Sequence, residues 1–550
     1  MTDTINGYAR RWWKEAVVYQ IYPRAFKDSN GDGIGDLKGI LEQVPYIKGL
    51  GVDVVWLSPH FDSPNADNGY DIRDYRQVMA EFGDMADFDA LREALHAAGI
   101  KLIIDLVVNH SSDEHAWFVE SRSSRDNPYR DYYIWHPGTD GAPPNNFTSI
   151  FTGSAWQKDE PTGDYYLHLF AVKQPDLNWD NPKVRAEVHD LMRFWLDRGV
   201  DGFRMDVIPF ISKRPGLPDL TEAQRAKPQF VYSDGPRVHE YLQEMRREAL
   251  APYDTLTVGE AFGVTLDQTP LFVDDRRGEL DMIFQFDVVE IDRDAQGKWT
   301  PWRLQDFKAI FSRHDAALDA HCWPTVFFSN HDNPRVVSRY GDDRPQWREL
   351  SAKLMATLLL TLKGTPFIYQ GDELAMTNYP FTDISQFDDL WIKGQWREEV
   401  ESGRITADAF LANQMKISRD HARTPMQWTP GANGGFTTGK PWLAVNPNTA
   451  AINAEHALTQ TASVYHYFAE MIALRKTHAA LVYGDYRDLL PDHPQVFAFT
   501  RTTPDETLLV ALNFSDTDVT VDLPHGIRMA GNYADERPAL RGWEARVTRL

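Results

Sequence analysis

The chain has 550 residues, of which 42% are hydrophobic, and this is enough for a large core and for more than one domain. Its 57 Lys and Arg against 80 Asp and Glu give a net charge of −23, which argues against nucleic acids and anionic membranes as partners. A single cysteine, Cys322, excludes an intrachain disulfide. Because the N-terminal residues lack the apolar stretch of a signal peptide and no apolar run could span a bilayer, we expect a cytoplasmic protein.

Eight apolar runs recur through the first 370 residues, and each of them ends in polar residues. Uninterrupted Val, Ile, Leu and Phe are typical of parallel strands that are buried on both faces. In chain order the runs are AVVYQIYPRAF, VDVVWLSPHF, IKLIIDLVVNH, VDGFRMDVI, DTLTVGEAF, LDMIFQFDV, PTVFFSNHD and GTPFIYQGDEL.

Helical patterns lie between the runs. The segment from Asn181 to Gly199 has a capping residue, then Pro182 in the first turn, and an apolar stripe at helical spacing. A similar pattern from Asp36 to Gly51 predicts another helix. Eight strands alternating with helices predict an α/β fold, a (β/α)8 TIM barrel.

Two long insertions and a change of pattern divide the chain. Residues 1–110 and 182–484 form the predicted barrel, and 111–181, rich in Gly, Pro, Asn and aromatics, form a predicted small inserted domain after strand 3. A second, irregular insertion is predicted at about 377–440, after strand 8. From 485 to 550 the segments QVFAFTRTT, ETLLVALNFS and DVTVDLP predict a C-terminal antiparallel β domain.

Charged residues stand where the predicted strands end. In GFRMDVI, Arg204 and Asp206 are two residues apart, so on a strand both point into one space. The active site of such a barrel lies at the C-terminal ends of its strands, which would bring several polar side chains together. These are Asp105, Asn109 and His110 after strand 3, Arg204 and Asp206 after strand 4, Glu260 after strand 5, and His331 and Asp332 after strand 7. Several carboxylates around one cavity suit glycoside cleavage.

Five motifs in order carry a resemblance to a known family. DLVVNH, GFRMDVI, VGEAF and FFSNHDN resemble the four signatures of the α-amylase superfamily of glycoside hydrolases, and QPDLN at 174–178 resembles the fifth signature in its oligo-1,6-glucosidase/α-glucosidase branch. The resemblance implies Asp206 as nucleophile, Glu260 as general acid/base, and Asp332 as a third carboxylate that binds sugar hydroxyls. Arg204 would hold Asp206.

The same resemblance implies residues that contact the sugar. DNGYD, FTGSAW, FAVKQPD and SRDHARTPMQW resemble segments of the branch that build the pocket. In SRDHARTPMQW either Arg419 or Arg423 would contact the terminal glucose, and we favour Arg419. The implied substrate-binding residues are Asp67, Tyr70, His110, Phe151, Phe170, Gln174, Arg204, His331 and Arg419.

The segment DSNGDGIGDLKG begins like the calcium loop of an EF-hand. The oxygen-bearing residues of the loop stand at alternating positions. The twelfth position, however, is Gly39 instead of the usual Glu. The alternative interpretation is a polar turn after strand 1 that binds no metal. In the resembling branch this loop binds one structural Ca²⁺, sometimes described as Mg²⁺. The predicted ligands are Asp28, Asn30, Asp32, Ile34 through its carbonyl, and Asp36.

The sequence thus predicts a retaining, exo-acting α-glucosidase that takes glucose from short α-glucosides. Three alternatives stay open: transglucosylation with the same site, a sucrose-active or isomerising relative, and a non-catalytic barrel homologue. The region VVEIDRDAQGKW only partly matches the arginine-rich RLDRD loop of the isomerases, and trehalose-phosphate hydrolases generally lack the metal loop. We expect a small-molecule α-glucoside substrate and no nucleic-acid or membrane partner, and the sequence leaves the oligomeric state open between monomer and dimer.

We expect linkage preference to depend on Val207, which follows the proposed nucleophile. In the resembling branch, enzymes that prefer α-1,6 links tend to have Val here, and those that prefer α-1,4 links tend to have Thr. The alternative is that Val207 is ordinary strand filler, since β-branched residues are common in strands. We expect a preference for α-1,6 links.

Overall fold

The computed structural model describes residues 4–550, and its centre is the predicted (β/α)8 barrel. Eight parallel strands, β1 to β8, follow one another in the sheet in the order β6-β5-β4-β3-β2-β1-β8-β7. Most of their residues are buried, because the lumen is filled with side chains and helices cover the outside. The strands are β1 Val18–Ile21, β2 Val54–Leu57, β3 Lys101–Leu106, β4 Gly202–Met205, β5 Leu256–Glu260, β6 Met282–Phe284, β7 Thr325–Val326 and β8 Thr365–Tyr369.

One seam of the barrel differs from the others. Within residues 4–550, no backbone ladder joins β6 to β7, which stand at the two ends of the sheet order. Strand β7 pairs with β8, with Thr325 opposite Thr365. Across the seam, Oγ1 of Thr325 donates to the carbonyl of Ile283 at 2.9 Å. Backbone therefore ties β7 to β8, and a side chain ties it to β6.

Helices surround the strands. The helix Pro182–Asp197 agrees with its prediction, because Asn181 caps it and its apolar stripe is buried. The predicted helix from Asp36 to Gly51 is wrong as one element, because the chain forms Leu37–Glu42 and Val44–Leu50 with a break at Gln43. Pro45 has no N–H with which to continue the first helix. The other longer helices are Met85–Ala97, Val238–Met245, Leu304–Ala317, Arg348–Thr361, Ala407–Ile417 and Val464–Thr477.

The first insertion, 111–181, contains a small antiparallel sheet. Its strands are Trp135–His136, Trp156–Lys158 and Tyr165–Leu167, with the last in the middle. The second insertion, 377–440, was predicted to be irregular, and this is wrong in part because it forms the helices Leu390–Trp396 and Ala407–Ile417. Both helices begin at capping side chains, Asp389 and Thr406.

The C-terminal part is a five-stranded antiparallel sheet, as predicted. The segment DVTVDLP is not one of its strands, which corrects the prediction. Val519 forms only an isolated bridge with Leu540, and its neighbours Val521 and Leu523 pack into an apolar cluster without a ladder. In sheet order the strands are Asp485–Asp488, Val496–Thr502, Thr507–Asn513, Ala545–Arg549 and Ile527–Gly531. Among residues 4–550, no helix combines the length and apolarity needed to cross a membrane.

Candidate active site

A single arginine gathers three carboxylates at the C-terminal ends of neighbouring strands. Arg204 of β4 lies in register with Asp105 of β3. Its Nη1 donates to Oδ1 of Asp105 at 2.6 Å and to Oδ1 of Asp206 at 2.7 Å. Its Nη2 lies 2.7 Å from Oε2 of Glu260, which ends β5. Arg204 and Asp206, the two charged residues of GFRMDVI, therefore belong to one buried cluster. The ends of β4 and β5 bring Asp206 and Glu260 together, as expected.

Two of these carboxyl groups, those of Asp206 and Glu260, have pKa values that are raised to near neutral pH. Burial raises the pKa of Asp206 to about 7, although the charge of Arg204 acts in the opposite direction. Burial likewise raises the pKa of Glu260 to about 7, and the neighbouring charge of Asp206 adds to the rise. Both groups can therefore gain or lose a proton near neutral pH, so that one can act as an acid while the other is an anion.

Asp105 belongs to the framework of the site. Besides Arg204, it accepts a hydrogen bond from Nε1 of Trp56 at 2.8 Å, and its side chain is fully buried. Burial raises the pKa of Asp105 to about 6. Because both its oxygens are engaged and enclosed, Asp105 orients Arg204 and is not available to a substrate.

Asp332, a carboxylate outside the Arg204 cluster, follows β7 and is kept ionised by its neighbours. Its Oδ2 lies 3.0 Å from Nε2 of His331, and its Oδ1 accepts from Arg419 at 3.2 Å and from Arg423 at 2.7 Å. Burial acts to raise the pKa of Asp332, but His331 and the two arginines hold it well below its usual range. The amide of Gln20 lies 2.8 Å from Nδ1 of His331, which places the ring proton on Nε2.

The geometry separates the two candidate arginines. Arg423 is enclosed, with Nε donating to the carbonyl of His331 at 3.0 Å. Arg419 keeps 14% of its side chain exposed and forms a two-point contact with the fully buried Asp389 at 2.8 and 2.5 Å. Arg419 is therefore the more accessible of the two, whereas Arg423 is buried and holds Asp332 in place.

The other polar residues predicted from the motifs meet at a closed end. Nε2 of Gln174 donates to Oδ2 of Asp67 at 3.0 Å and to the carbonyl of Tyr70 at 3.1 Å. Nε2 of His110 also contacts that carbonyl, at 3.0 Å, and Oη of Tyr70 lies 2.6 Å from Nε2 of His331. Burial raises the pKa of Asp67 to about 7 and lowers the pKa of His110 to about 4. The closed end is thus built from buried side chains that can donate or accept hydrogen bonds.

Aromatic rings form one wall. The ring of Phe170 lies 5.2 Å from His110, and Phe151 lies 5.6 Å from Phe170. The wall continues to Trp391, whose ring centroid is 6.4 Å from that of Phe151. The guanidinium of Arg419 sits over both Phe151 and Trp391, at 5.6 and 5.7 Å.

Val207 is in a strained conformation beside the cluster. Its φ of 34° and ψ of 39° lie in the left-handed region, which a β-branched residue rarely occupies. Its backbone N–H donates to Oε2 of Glu260 at 3.1 Å. Its buried side chain packs in the same apolar cluster as Phe170 and Phe210. Val207 therefore departs from strand geometry, and its backbone holds Glu260 while its side chain belongs to the apolar cluster that includes Phe170.

The loop from Asp28 to Asp36 has the donor types of a calcium site, but its oxygens accept hydrogen bonds from the loop itself. Oδ1 of Asp28 accepts from the amides of Asn30 and Gly31, and Oδ2 accepts from Gly33. Both oxygens of Asp36 also accept from the backbone. The three acidic side chains of the loop do not converge on one point. The metal prediction stays a prediction.

Four residues of the site were not predicted from the sequence. Gln20 and Trp56 fix His331 and Asp105 from inside the barrel, and Asp389 and Trp391 come from the second insertion. Asp389 precedes an apolar helical pattern, and a capping signal could have been found there. Its contact with Arg419, 30 positions further along the chain, has no local signature.

Comparison with known proteins finds relatives that are similar to this chain over nearly its whole length. The oligo-1,6-glucosidase of Parageobacillus thermoglucosidasius is 52% identical over 558 residues, covering 98% of this chain and 99% of the relative. The solved structure of trehalulose synthase from Pseudomonas mesoacidophila superposes with a TM-score of 0.96 at 50% identity, covering 98% and 99% of the two chains. A variant of isomaltulose synthase from Erwinia rhapontici, solved with sucrose, gives 0.97 at 49% identity with the same coverage.

Family profiles match two consecutive parts of the chain. Residues 486–536 match the profile described as the maltogenic amylase C-terminal domain, which falls on the antiparallel sheet. Residues 20–484 match the profile of the alpha-amylase catalytic domain, which contains every strand end described above except the start of β1. This protein therefore belongs to the alpha-amylase family and is a glycoside hydrolase.

Proposed function

We propose that the protein is a retaining, exo-acting α-glucosidase that prefers α-1,6-linked short glucosides. The observation that carries this proposal is the shared contact of Arg204 with Asp206 and Glu260, at 2.7 Å each. One guanidinium keeps the two carboxyl groups side by side, as a double displacement at one anomeric carbon requires. The relatives named oligo-1,6-glucosidase support the choice of linkage.

The reaction has two steps. Oδ of Asp206 attacks the anomeric carbon while Glu260 gives its proton to the leaving oxygen, so that one C–O bond forms and another breaks. The product is a β-glucosyl ester on Asp206. Water then attacks the same carbon, Glu260 takes the proton of the water, and the ester bond to Asp206 breaks. Asp332 holds sugar hydroxyls as a permanent anion.

Release from the chain end is supported by the closed side of the pocket. Asp67, Gln174 and His110 are buried and contact one another or a shared carbonyl, so this side of the site is enclosed by protein. We assign these residues, with Tyr70, Phe151, Phe170, His331 and Arg419, to a single terminal glucose.

The test is a sugar panel with product analysis. Isomaltose, maltose, sucrose and trehalose are offered, and the first-formed anomer is followed by NMR. Fastest turnover of isomaltose with α-glucose as the first product is the expected result. Inversion to β-glucose, or cleavage only of internal bonds, would contradict the proposal.

Sucrose isomerisation is the second candidate, favoured by the likeness to the two synthases. In the loop after β6, Asp292 is held by Arg339 at 2.9 Å, and Arg293 donates to the carbonyl of Ile417 at 3.3 Å. Both side chains are thus engaged within the protein. If sucrose yields mainly isomaltulose or trehalulose instead of glucose and fructose, this second candidate replaces the first.

We also propose that one structural Ca²⁺ or Mg²⁺ binds the loop from Asp28 to Asp36. Support comes from its chemistry, which is oxygen-only, and from its winding, since Gly31 and Gly33 have φ of 88° and 94°. The metal would serve stability, and no step of the reaction needs it. Binding requires the loop carboxylates to exchange backbone N–H donors for the cation.

A further inference from the structure

The pocket is closed at one end and opens at the other, and the exposure of its residues gives the direction. Gln174 is fully buried and Asp67 is 6% exposed. The exposed fraction rises to 14% for the side chain of Glu260 and to 27% for that of Asp332. A leaving group bonded to the anomeric oxygen that Glu260 protonates therefore has to lie at the open end.

Trp391 lies beside this open end, because Arg419, which sits over its ring, also donates to Asp332, the most exposed of these acids. It is half-buried, its ring contacts Phe151 of the pocket wall, and the guanidinium of Arg419 lies 5.7 Å from its centroid. Among residues 4–550, no acceptor pairs with its indole N–H, which is not enclosed either. A flat ring with a free donor at the rim of a sugar pocket suits contact with the apolar face and the hydroxyls of another ring.

The ring is held in place by the residue that also holds Arg419. Oδ1 of Asp389 accepts from the backbone N–H of Trp391 at 2.9 Å and caps the helix Leu390–Trp396. The same carboxylate binds Arg419 at two points. Through Asp389, the glucose-facing arginine and the indole form one rigid unit.

We propose that Trp391 is a specificity-determining residue that binds the leaving group, and that it favours α-glucosides whose aglycone is a sugar ring or an aromatic ring. This proposal rests on the proposed function and adds the class of aglycone. By the same contact, Trp391 binds a sugar acceptor when the glucosyl ester is transferred to a hydroxyl group instead of to water.

The experiment uses leaving groups that do and do not reach the indole. Isomaltose and nitrophenyl α-glucoside have a ring as the leaving group, whereas α-glucosyl fluoride has a single atom. Trp391→Ala should lower kcat/KM for the two ring substrates by about tenfold and leave the fluoride within about twofold of wild type. Trp391→Phe should recover most of the loss, because a flat ring is retained.

Trp12→Ala is the matched control. Trp12 is also half-buried and also has a cation over its ring, Lys101 at 4.7 Å, but it lies before β1 at the opposite end of the barrel. This variant should behave as wild type on all three substrates.

The possible outcomes separate the two proposals. If Trp391→Ala lowers turnover of the fluoride as much as that of isomaltose, the residue acts through Arg419 or Phe151 and the leaving-group role is wrong. If the variant matches wild type on every substrate, the role is wrong as well. If wild-type protein hydrolyses none of the three glucosides, it is the proposed function that fails.

Discussion

The backbone N–H of Val207 donates to Oε2 of Glu260 at 3.1 Å, from a residue held at a φ of 34°. The proposed acid is thus oriented by a strained backbone position as well as by Arg204. Since this contact comes from the main chain, side-chain substitutions at Val207 leave it in place. The side chain itself lies in the apolar cluster that includes Phe170, and we expect it to influence the leaving group from there.

Val207→Thr should raise kcat/KM for maltose by about threefold to tenfold, while isomaltose changes less, because a hydroxyl replaces a methyl group near the leaving sugar. Steady-state kinetics on both disaccharides check this. Val207→Ala removes volume without adding a hydroxyl and should not raise the use of maltose. If Val207→Ala raises kcat/KM for maltose as much as Val207→Thr does, the linkage preference depends on side-chain volume and not on a hydrogen bond.

Glu260→Gln should cost about 10²-fold more on isomaltose than on nitrophenyl α-glucoside, because nitrophenolate leaves with little need of a proton. For the wild type, kcat/KM on isomaltose should fall as pH rises through about 7, since burial raises the pKa of Glu260 to about 7 and the acid acts only while protonated. This alkaline limb should be absent from the Glu260→Gln profile. Its persistence there would assign it to another group.

Asp206→Asn should lower kcat by at least about 10³-fold, because an amide cannot form the glucosyl ester. The same variant should melt no lower than wild type at pH 8. Burial raises the pKa of Asp206 to about 7, so the folded state binds the proton more tightly than the unfolded state, and stability falls as pH rises from about 4 to about 7. The amide of Asn does not titrate, so the variant loses the contribution of Asp206 to the pH dependence of stability. Melting curves at pH 5 and pH 8 give the comparison.

Exhaustive chelation should lower the melting temperature and leave kcat of the folded protein unchanged, because the proposed cation binds only the folded loop. Asp32→Ala is the matched variant, since Asp32 is exposed and its side chain accepts only from the amide of Ile34. Its melting temperature should not respond to chelator. Identical melting of the wild type with and without chelator would make the loop a plain turn.

The barrel could be predicted because its strands are buried on both faces and are followed by polar residues. The segment IKLIIDLVVNH, which contains β3, is an example. The segment DVTVDLP misled, because alternation indicates that one face is buried but does not indicate a ladder partner. Val519 and its neighbours bury that face beside Leu540 without one.

In the site, the strand order brings Arg204, Asp206 and Glu260 together, so their meeting follows from the fold. The contact of Asp389 with Arg419 does not follow from it. Both residues belong to an insertion whose short helices have weak periodicity, and their pairing depends on how that insertion folds back over the barrel. Trp391 belongs to the same insertion, and its place in the site could not be predicted from the sequence for the same reason.

The seam between β6 and β7 has a consequence for how the two sides of the site can shift relative to each other. From Glu260 on β5, the continuous backbone route to β7 runs round the barrel through β8. Glu260, the proposed acid, ends β5, whereas Asp332, which we propose binds sugar hydroxyls, follows β7 across the seam. A small displacement at the seam would therefore change the distance between Glu260 and Asp332 without breaking a backbone ladder.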